Sequence, residues 1–213
     1  MTAPVPHPEL LIARHGEAHC NIAGIIAGPS CTGLTSRGRD MAAALGKRLA
    51  AEAPVTAIHA STTPRARETA DIIAEALHLP VTGQHDLRVP DPGTAEGLTW
   101  AEARAAGTDP DNPVRPASAS AETWAAYLAR ASACLQTILD DLTGRVLVVG
   151  HSETLTAAFH LLLGVDTLGR LKLALDHTAV TTLRPVREYA GVVVEQRWQL
   201  VQHNDVTHLN QRA

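Results

Sequence analysis

The sequence predicts a three-layer α/β/α fold with a mostly parallel central sheet, on three observations. Short continuous apolar runs, LLIA at 10–13 and VLVV at 146–149, stop abruptly at polar, glycine-containing loops, as strands buried on both faces do. Stretches with apolar residues at helical spacing lie between such runs. The connections are short, so strand and helix alternate as in βαβ units. Hydrophobic residues make up 45% of the 213 and charged residues 19%, which is ample for a core and excludes a disordered or collagen-like chain.

The elements follow in order. Residues 9–13 form a strand that runs out into Arg14-His15-Gly16. Thr35-Ser36 offers a helix cap, the helix continues through RGRDMAAALGKRLAAEA, and Pro54 stops it. Residues 55–60 are a second strand. Residues 64–79 form a second helix, with Pro64 suited to its first turn. Residues 81–89 alternate weakly, 90–98 carry turn chemistry, and 107–120 read as a long surface loop rich in Pro, Asp and Ser. A helix is predicted over 121–142, a strand over 145–151 and a helix over 154–164. Strands at 178–185 and 191–201 close the chain as an antiparallel pair turning near 187–190. No repeat or separating linker is present, so one domain is expected over 1–213 with its core at about 9–209.

Charge and composition exclude several functions. Lys plus Arg is 18 and Asp plus Glu 22, a net charge of −4, whereas a nucleic-acid binder calls for a basic surplus. At 3% aromatics, base-stacking platforms are not expected either. The three cysteines, Cys20, Cys31 and Cys134, are odd in number and widely spaced, which fits neither a disulfide framework nor a zinc cage. The N-terminal residues have no charged region ahead of a signal-type apolar run, and no stretch approaches the ~20 apolar residues of a membrane span. A cytoplasmic protein that engages no membrane is expected, and its oligomeric state is not readable.

Two strands end in histidine, at IARHG (12–16) and VVGHS (148–152), and helix 64–79 carries Arg65 in its first turn, just after strand 55–60. In open α/β sheets, sites form beyond the carboxyl ends of strands. Three strand exits therefore deliver His15, His151, Arg14 and Arg65 to one sheet edge. Guanidinium forks match phosphate or carboxylate oxygens, so the physics points to an anion site.

ARHGEAHCN resembles the RHGE-x-x-x-N signature of the histidine phosphatase (phosphoglycerate mutase-like) superfamily. TGLTSRGRDMA is similar to its LT-x-x-G helix start, ASTTPRARETA to its S-x-x-x-R-A-x-x-T-A element, and PGTAEGLTWAEA to its G-x-x-E-G turn. VLVVGHSETL resembles its second-histidine strand, and HNDVTHLN a C-terminal N-D-x-x-H-L. The resemblance runs from Leu10 to Leu209 and implies the phosphoglycerate mutase-like topology. It also implies His15 as the nucleophile that becomes a phosphohistidine. Arg14, Arg65 and His151 would hold the phosphoryl oxygens, with Asn21 near the phosphate. No metal or cofactor is implied, because guanidinium groups neutralise the charge.

The chain departs from the family at the general acid. Where many members carry the Glu of an L-x-E step, this one reads Leu87-Arg88-Val89, and valine cannot protonate a leaving group. Some branches place an acid just after the second histidine, and His151-Ser152-Glu153 offers Glu153 there. A bound phosphate favours the protonated form of a neighbouring carboxyl, as an acid needs. Asp91 is the alternative, being two residues beyond Val89 and so on the same side of an extended segment. Glu96 is the third candidate and is expected to be structural. Asn21, Asp91 and Ser152 are the candidate substrate-binding residues. Glu17 is read as a loop hydrogen-bond acceptor or a site residue, Arg67 as solvated, and His177 as bordering the site. Cys20 and Cys31 lie in the loop after the first motif. The remaining histidines lack metal-ligand spacing. The expected activity is hydrolysis of a small-metabolite monophosphate (sugar, nucleoside or similar). The alternatives are a phosphoglycerate-type phosphomutase and a catalytically lapsed anion-binding regulatory protein.

Overall fold

A computed structural model describes residues 8–28, 30–108, 118–164, 173–189 and 192–210. Its strands are β1 (Glu9–Arg14), β2 (Val55–Ser61), β3 (Val81–Gln84), β4 (Arg145–Gly150), β5 (Val180–Tyr189) and β6 (Val192–Asp205). They form one sheet in the order β3-β2-β4-β1-β5-β6; the first four run parallel, and β5 and β6 join antiparallel. The helices are α1 (His19–Ala23), α2 (Ser36–Ala51), α3 (Pro64–Leu77), α4 (Trp100–Ala105), α5 (Trp124–Asp140) and α6 (Ser152–Leu163).

The continuous apolar runs are explained by burial on both faces. Leu10 and Ile12 of β1 pack with Leu135 of α5 and Leu155 of α6, while Leu11 and Ala13 pack with Leu45 and Leu49 of α2 and Ile73 of α3. β4 repeats the alternation, with Val146 and Val148 on one side and Leu147 and Val149 on the other. These are the three expected layers.

Register then positions the site. β1 and β4 are neighbours with Arg14 opposite Gly150, and the His15 backbone N–H donates to the Gly150 carbonyl at 2.9 Å. Two histidines more than 130 residues apart in sequence therefore leave the sheet side by side. β2 ends on the other flank of β4, with Ala60 opposite Val149.

Gly16 and Gly38 meet backbone to backbone. A Cβ on Gly38 would enter the Glu17 carbonyl oxygen, and one on Gly16 the Gly38 carbonyl. The α2 cap is part of this contact: Thr35 accepts from the Gly38 N–H at 2.9 Å and donates to the Glu17 carboxylate at 2.9 Å. Gly38→Ala is expected to cost about 3 kcal/mol of stability, since backbone rather than a flexible side chain must yield. A thermal melt unchanged from wild type would refute this packing.

Several boundaries correct the sequence reading. The 121–142 helix starts only at Trp124, because Thr123 caps it by accepting from Ala126 N–H at 3.1 Å. The helix placed at 154–164 begins two residues earlier, at Ser152, so Ser152 and Glu153 stand in its first turn rather than in a loop. β5 continues to Tyr189 and β6 to Asp205, both beyond the expected strands; of the expected turn, 187–189 is strand and residue 190 lies outside the described residues. Of the 107–120 loop, 109–117 also lie outside them. Two short helices, α1 and α4, were not anticipated; five or six residues are too few to show a helical period.

The C-terminal motif braces the site from below. Asp205 pairs with Arg48 of α2 at 2.5 Å, and His208 bonds Thr178 at 2.9 Å, whose N–H donates to the Arg14 carbonyl at 3.0 Å. Among the described residues, no helix is long and apolar enough to cross a membrane.

Candidate active site

A cavity of about 500 Å³ opens beyond the carboxyl ends of β1, β4 and β2. Arg14, His15, Asn21, Arg65, Asp91, His151, Ser152 and Glu153 all line it, so of the residues weighed as catalytic or substrate-binding all but Glu96, the third acid candidate, reach one place.

His15 is buried, and its ring is fixed at both nitrogens. Nδ1 lies 2.7 Å from the Gly16 carbonyl oxygen, which can only accept, so Nδ1 carries the proton. Nε2 is left with its lone pair, facing Arg65, whose Nε donates to it at 3.2 Å. Burial, and then the Arg65 guanidinium, hold the imidazole well below its usual pKa. His15 is thus neutral and nucleophilic at pH 7.

Thr69 of α3 ties this loop to the arginine: it accepts from the Gly16 N–H at 3.0 Å and donates to the Arg65 carbonyl at 2.7 Å. Arg65, 4% exposed, also donates Nη1 to the Gly28 carbonyl at 3.1 Å. A buried cation in the first turn of a helix opposes the helix dipole, which is the arrangement expected where an anion binds. Arg14 donates Nη1 to the Leu175 carbonyl at 2.6 Å, while its buried Nε has no partner among the described residues.

The His151 ring lies 5.2 Å from that of His15, edge to face. Its Nε2 is bonded to the hydroxyls of Ser61 (3.0 Å) and Thr63 (3.1 Å), and its buried Nδ1 has no partner among the described residues. Burial, then Arg65 and His15, push its pKa well below the ordinary value. The His177 ring stands 5.6 Å from His15, in the turn before β5, with burial and Arg14 lowering it to about 4.

The carboxylates differ in what already occupies them. Glu153 accepts from the Ser152 hydroxyl at 3.0 Å and otherwise faces the cavity. Asp91 accepts from the Gly93 N–H at 2.8 Å, a turn-capping role. Glu96 does not line the cavity; it accepts from the Gly28 and Ser30 N–H groups at 3.2 and 3.0 Å, and hydrogen bonds led by the Ser30 hydroxyl lower its pKa. Glu96 is structural, as expected. Glu17 is engaged by Thr35 and by Arg37 at 3.3 Å, and Arg67 is exposed and paired with Asp71 at 2.9 Å. Val89 lines the cavity, so the wall is apolar at the L-x-E position.

The residues that sequence reasoning missed act behind or beside these. Ser61 and Thr63 stand inside the quoted S-x-x-x-R stretch, but nothing in the string shows that they orient His151. Trp100, Trp124 and Glu122 line the outer cavity. Glu122 is bound twice by Arg130, at 2.7 Å each, and Arg130 also holds the Val89 carbonyl at 3.1 Å, an arrangement only folding creates. Among the described residues, no three or more His, Cys, Asp or Glu come together as a metal site.

Residues 10–205 match the model of the histidine phosphatase superfamily (branch 1). The chain is 29% identical to a metal-independent phosphoserine phosphatase of Arabidopsis thaliana, over 95% of this chain and 83% of the relative. It is 28% identical to a probable phosphoglycerate mutase of Erwinia tasmaniensis, over 96% of both. In fold it is similar to a mycobacterial glucosyl-3-phosphoglycerate phosphatase, with a TM-score of 0.76 at 23% identity over 92% of this chain and 99% of that one.

Proposed function

The chain belongs to the histidine phosphatase superfamily, and from that premise we propose that it hydrolyses a small-metabolite monophosphate through a phosphohistidine on His15, without a metal. It is a phosphoric monoester hydrolase of the histidine phosphatase type. The observation that carries the proposed mechanism is the pair of facts at His15: Nδ1–H is tied to the Gly16 carbonyl and Nε2 faces the cavity beside Arg65.

The phosphoryl group sits among Arg14, Arg65 and His151, with Arg14 Nε and His151 Nδ1 as the donors still lacking partners. Asn21, whose carboxamide oxygen is taken by the Ala18 N–H at 3.0 Å, turns its NH₂ to the same anion. His15 Nε2 attacks phosphorus in line while the leaving oxygen takes a proton from Glu153. Water then cleaves the N–P bond, with the Glu153 carboxylate as base. The two guanidiniums neutralise the charge on the phosphoryl oxygens throughout.

The outer cavity bears on the substrate. Beyond Arg14 and Arg65, its described lining contains no Lys or Arg; Ile25, Ile26, Val89 and the two tryptophans stand there beside the carboxylates Asp91, Glu122 and Glu153. Among the described residues a second phosphate would find no further Lys or Arg in that lining, which favours a monophosphate. Phosphate release from a panel of monophosphates in the presence of chelator tests the reading. Phosphoryl transfer to a second acceptor faster than phosphate release would make the chain a mutase instead. No turnover by folded protein would leave an anion-binding protein.

Glu153→Gln assigns the acid. The expected fall in kcat is about 10²-fold on alkyl phosphates and much smaller on p-nitrophenyl phosphate, whose leaving group needs no proton. An equal rate on both esters, unchanged from wild type, would move the role to Asp91.

A further inference from the structure

Cys20 is the second residue of α1 and lines the substrate cavity, and Cys31 lies in the loop between α1 and α2. Their sulfurs lie 2.7 Å apart, closer than two unbonded sulfurs ordinarily pack, and both thiols are free and buried. Ala18, Leu34 and Ala42 pack around them, with Ile25 and Ala27 against this cluster.

The segment that the pair brackets is the cavity wall. It carries Asn21, then Ile25 and Ile26, then Gly28, whose carbonyl accepts from Arg65. Its middle is pinned to the strand-like turn before α4, where Ile26 and Gly97 exchange backbone bonds with Leu98 and Ile26 at 2.8 Å each. Just outside its two ends Ala18 pairs with Leu34 and the His19 N–H donates to the Gly33 carbonyl at 3.2 Å, and at the ends themselves the sulfurs meet.

We propose that Cys20 and Cys31 are a reversible thiol–disulfide site in the wall of the active-site cavity, oxidised by a small hydroperoxide that enters through that cavity. The site is distinct from the hydrolytic machinery, and no step of the proposed phosphatase reaction uses it. The hydrogen bond from the Cys20 thiol favours the thiolate on Cys31, pulling it below the usual thiol range while Cys20 is pushed up, and the Arg65 charge favours the anion on both.

The step balances as follows. Cys20, the one of the pair that lines the cavity, attacks one peroxide oxygen as its thiol proton passes to the Cys31 thiolate; the S–O bond forms, the O–O bond breaks and hydroxide (or alkoxide) leaves. The Cys31 sulfur then attacks the Cys20 sulfenic acid; the S–S bond forms, the S–O bond breaks, and the departing hydroxide leaves with the Cys31 proton as water. The pair loses two electrons and the peroxide gains them. A dithiol reductant reverses the reaction. The disulfide ties both ends of the wall that holds Asn21 and the Gly28 carbonyl.

The test uses the full chain, reduced and then exposed to excess hydrogen peroxide. The expected result is a fall from three titratable thiols to one per chain, a mass lower by two hydrogens, and a Cys20–Cys31 cross-linked peptide, all restored by dithiothreitol. Cys134, half-buried on α5, remains the titratable thiol. Amide exchange over residues 22–28 is expected to slow at least threefold. Cys31→Ser is expected to keep its phosphatase activity and to give no cross-link. Three thiols remaining after treatment, or mass gained as oxygen with no cross-linked peptide, would overturn the site. Unchanged exchange over 22–28 in cross-linked protein would overturn the tightening of the wall. Because thiols, masses and exchange are read without substrate, failure here is separable from failure of the phosphatase reading.

Discussion

His15→Ala is expected to lose phosphate release by about 10⁴-fold or more in kcat, because it removes the nucleophile itself and leaves only charge stabilisation behind. The structure makes the alternatives weak. Among the described residues that line the cavity, the other histidine is His151, whose Nε2 is bonded to two hydroxyls, whereas His177 is not among the lining residues. The loss is paired with a direct observation. Wild type quenched during turnover of a ³²P-labelled ester should carry a label stable to base and labile to acid, as a phosphoramidate is, and His15→Ala should carry none. Turnover within tenfold of wild type in the variant would rule out His15 as the attacking group. Thermal melting of both proteins guards against misfolding as the cause.

Acidification is expected to destabilise the free protein steeply below pH 6.5. His15 and His151, 3% and 1% exposed, are both held well below the ordinary histidine value, first by burial and then by Arg65. The sign follows from proton uptake. Above pH 6.5 neither the folded nor the unfolded chain protonates these rings, so there is no pH effect from them. As pH falls through 6.5, the unfolded chain takes up protons that the folded chain refuses, and stability is lost until the folded-state pKa is reached. The loss accumulates over every pH step between the two pKa values, for each histidine separately. His177 and His208, both lowered to about 4, chiefly by burial, act with the same sign in the same window. Denaturant unfolding at pH 7.5, 6.5, 5.5 and 5.0 measures the slope, and a flat profile would mean that the rings titrate normally. Saturating inorganic phosphate should blunt the loss, since a bound anion offsets the Arg65 charge that disfavours imidazolium.

The parts legible in the sequence were those with a local cause. Apolar runs such as VLVV signal strands covered on both faces, and a histidine directly after such a run must stand at a strand exit. His15, His151, Arg14 and Arg65 were legible for that reason, and the motif spacing carried the family. Helix starts were less so: Thr123 and His151 act as caps only because the chain turns there, and a lone Thr or His two residues away reads equally well. The two short helices α1 and α4 left no period to detect.

What the sequence alone determined is the layered fold, the gathering of His15, His151, Arg14 and Arg65 at one sheet edge and the absence of an acid at Val89, each of which follows from residue type and spacing along the chain. The tertiary structure alone decided which side chains hold those groups in place: Thr69 joining Gly16 to Arg65, Ser61 and Thr63 on His151, Arg130 on Glu122, and Cys20 against Cys31. It also separated the carboxylates, since Glu96 is consumed by backbone amides and Asp91 caps a turn, while Glu153 faces the cavity. The physical reason is that, apart from Arg130 on Glu122 and Thr69 on Arg65, these contacts join residues between 11 and 90 positions apart. Such pairings are set by strand register and helix docking, and neither is written in any local run of residues.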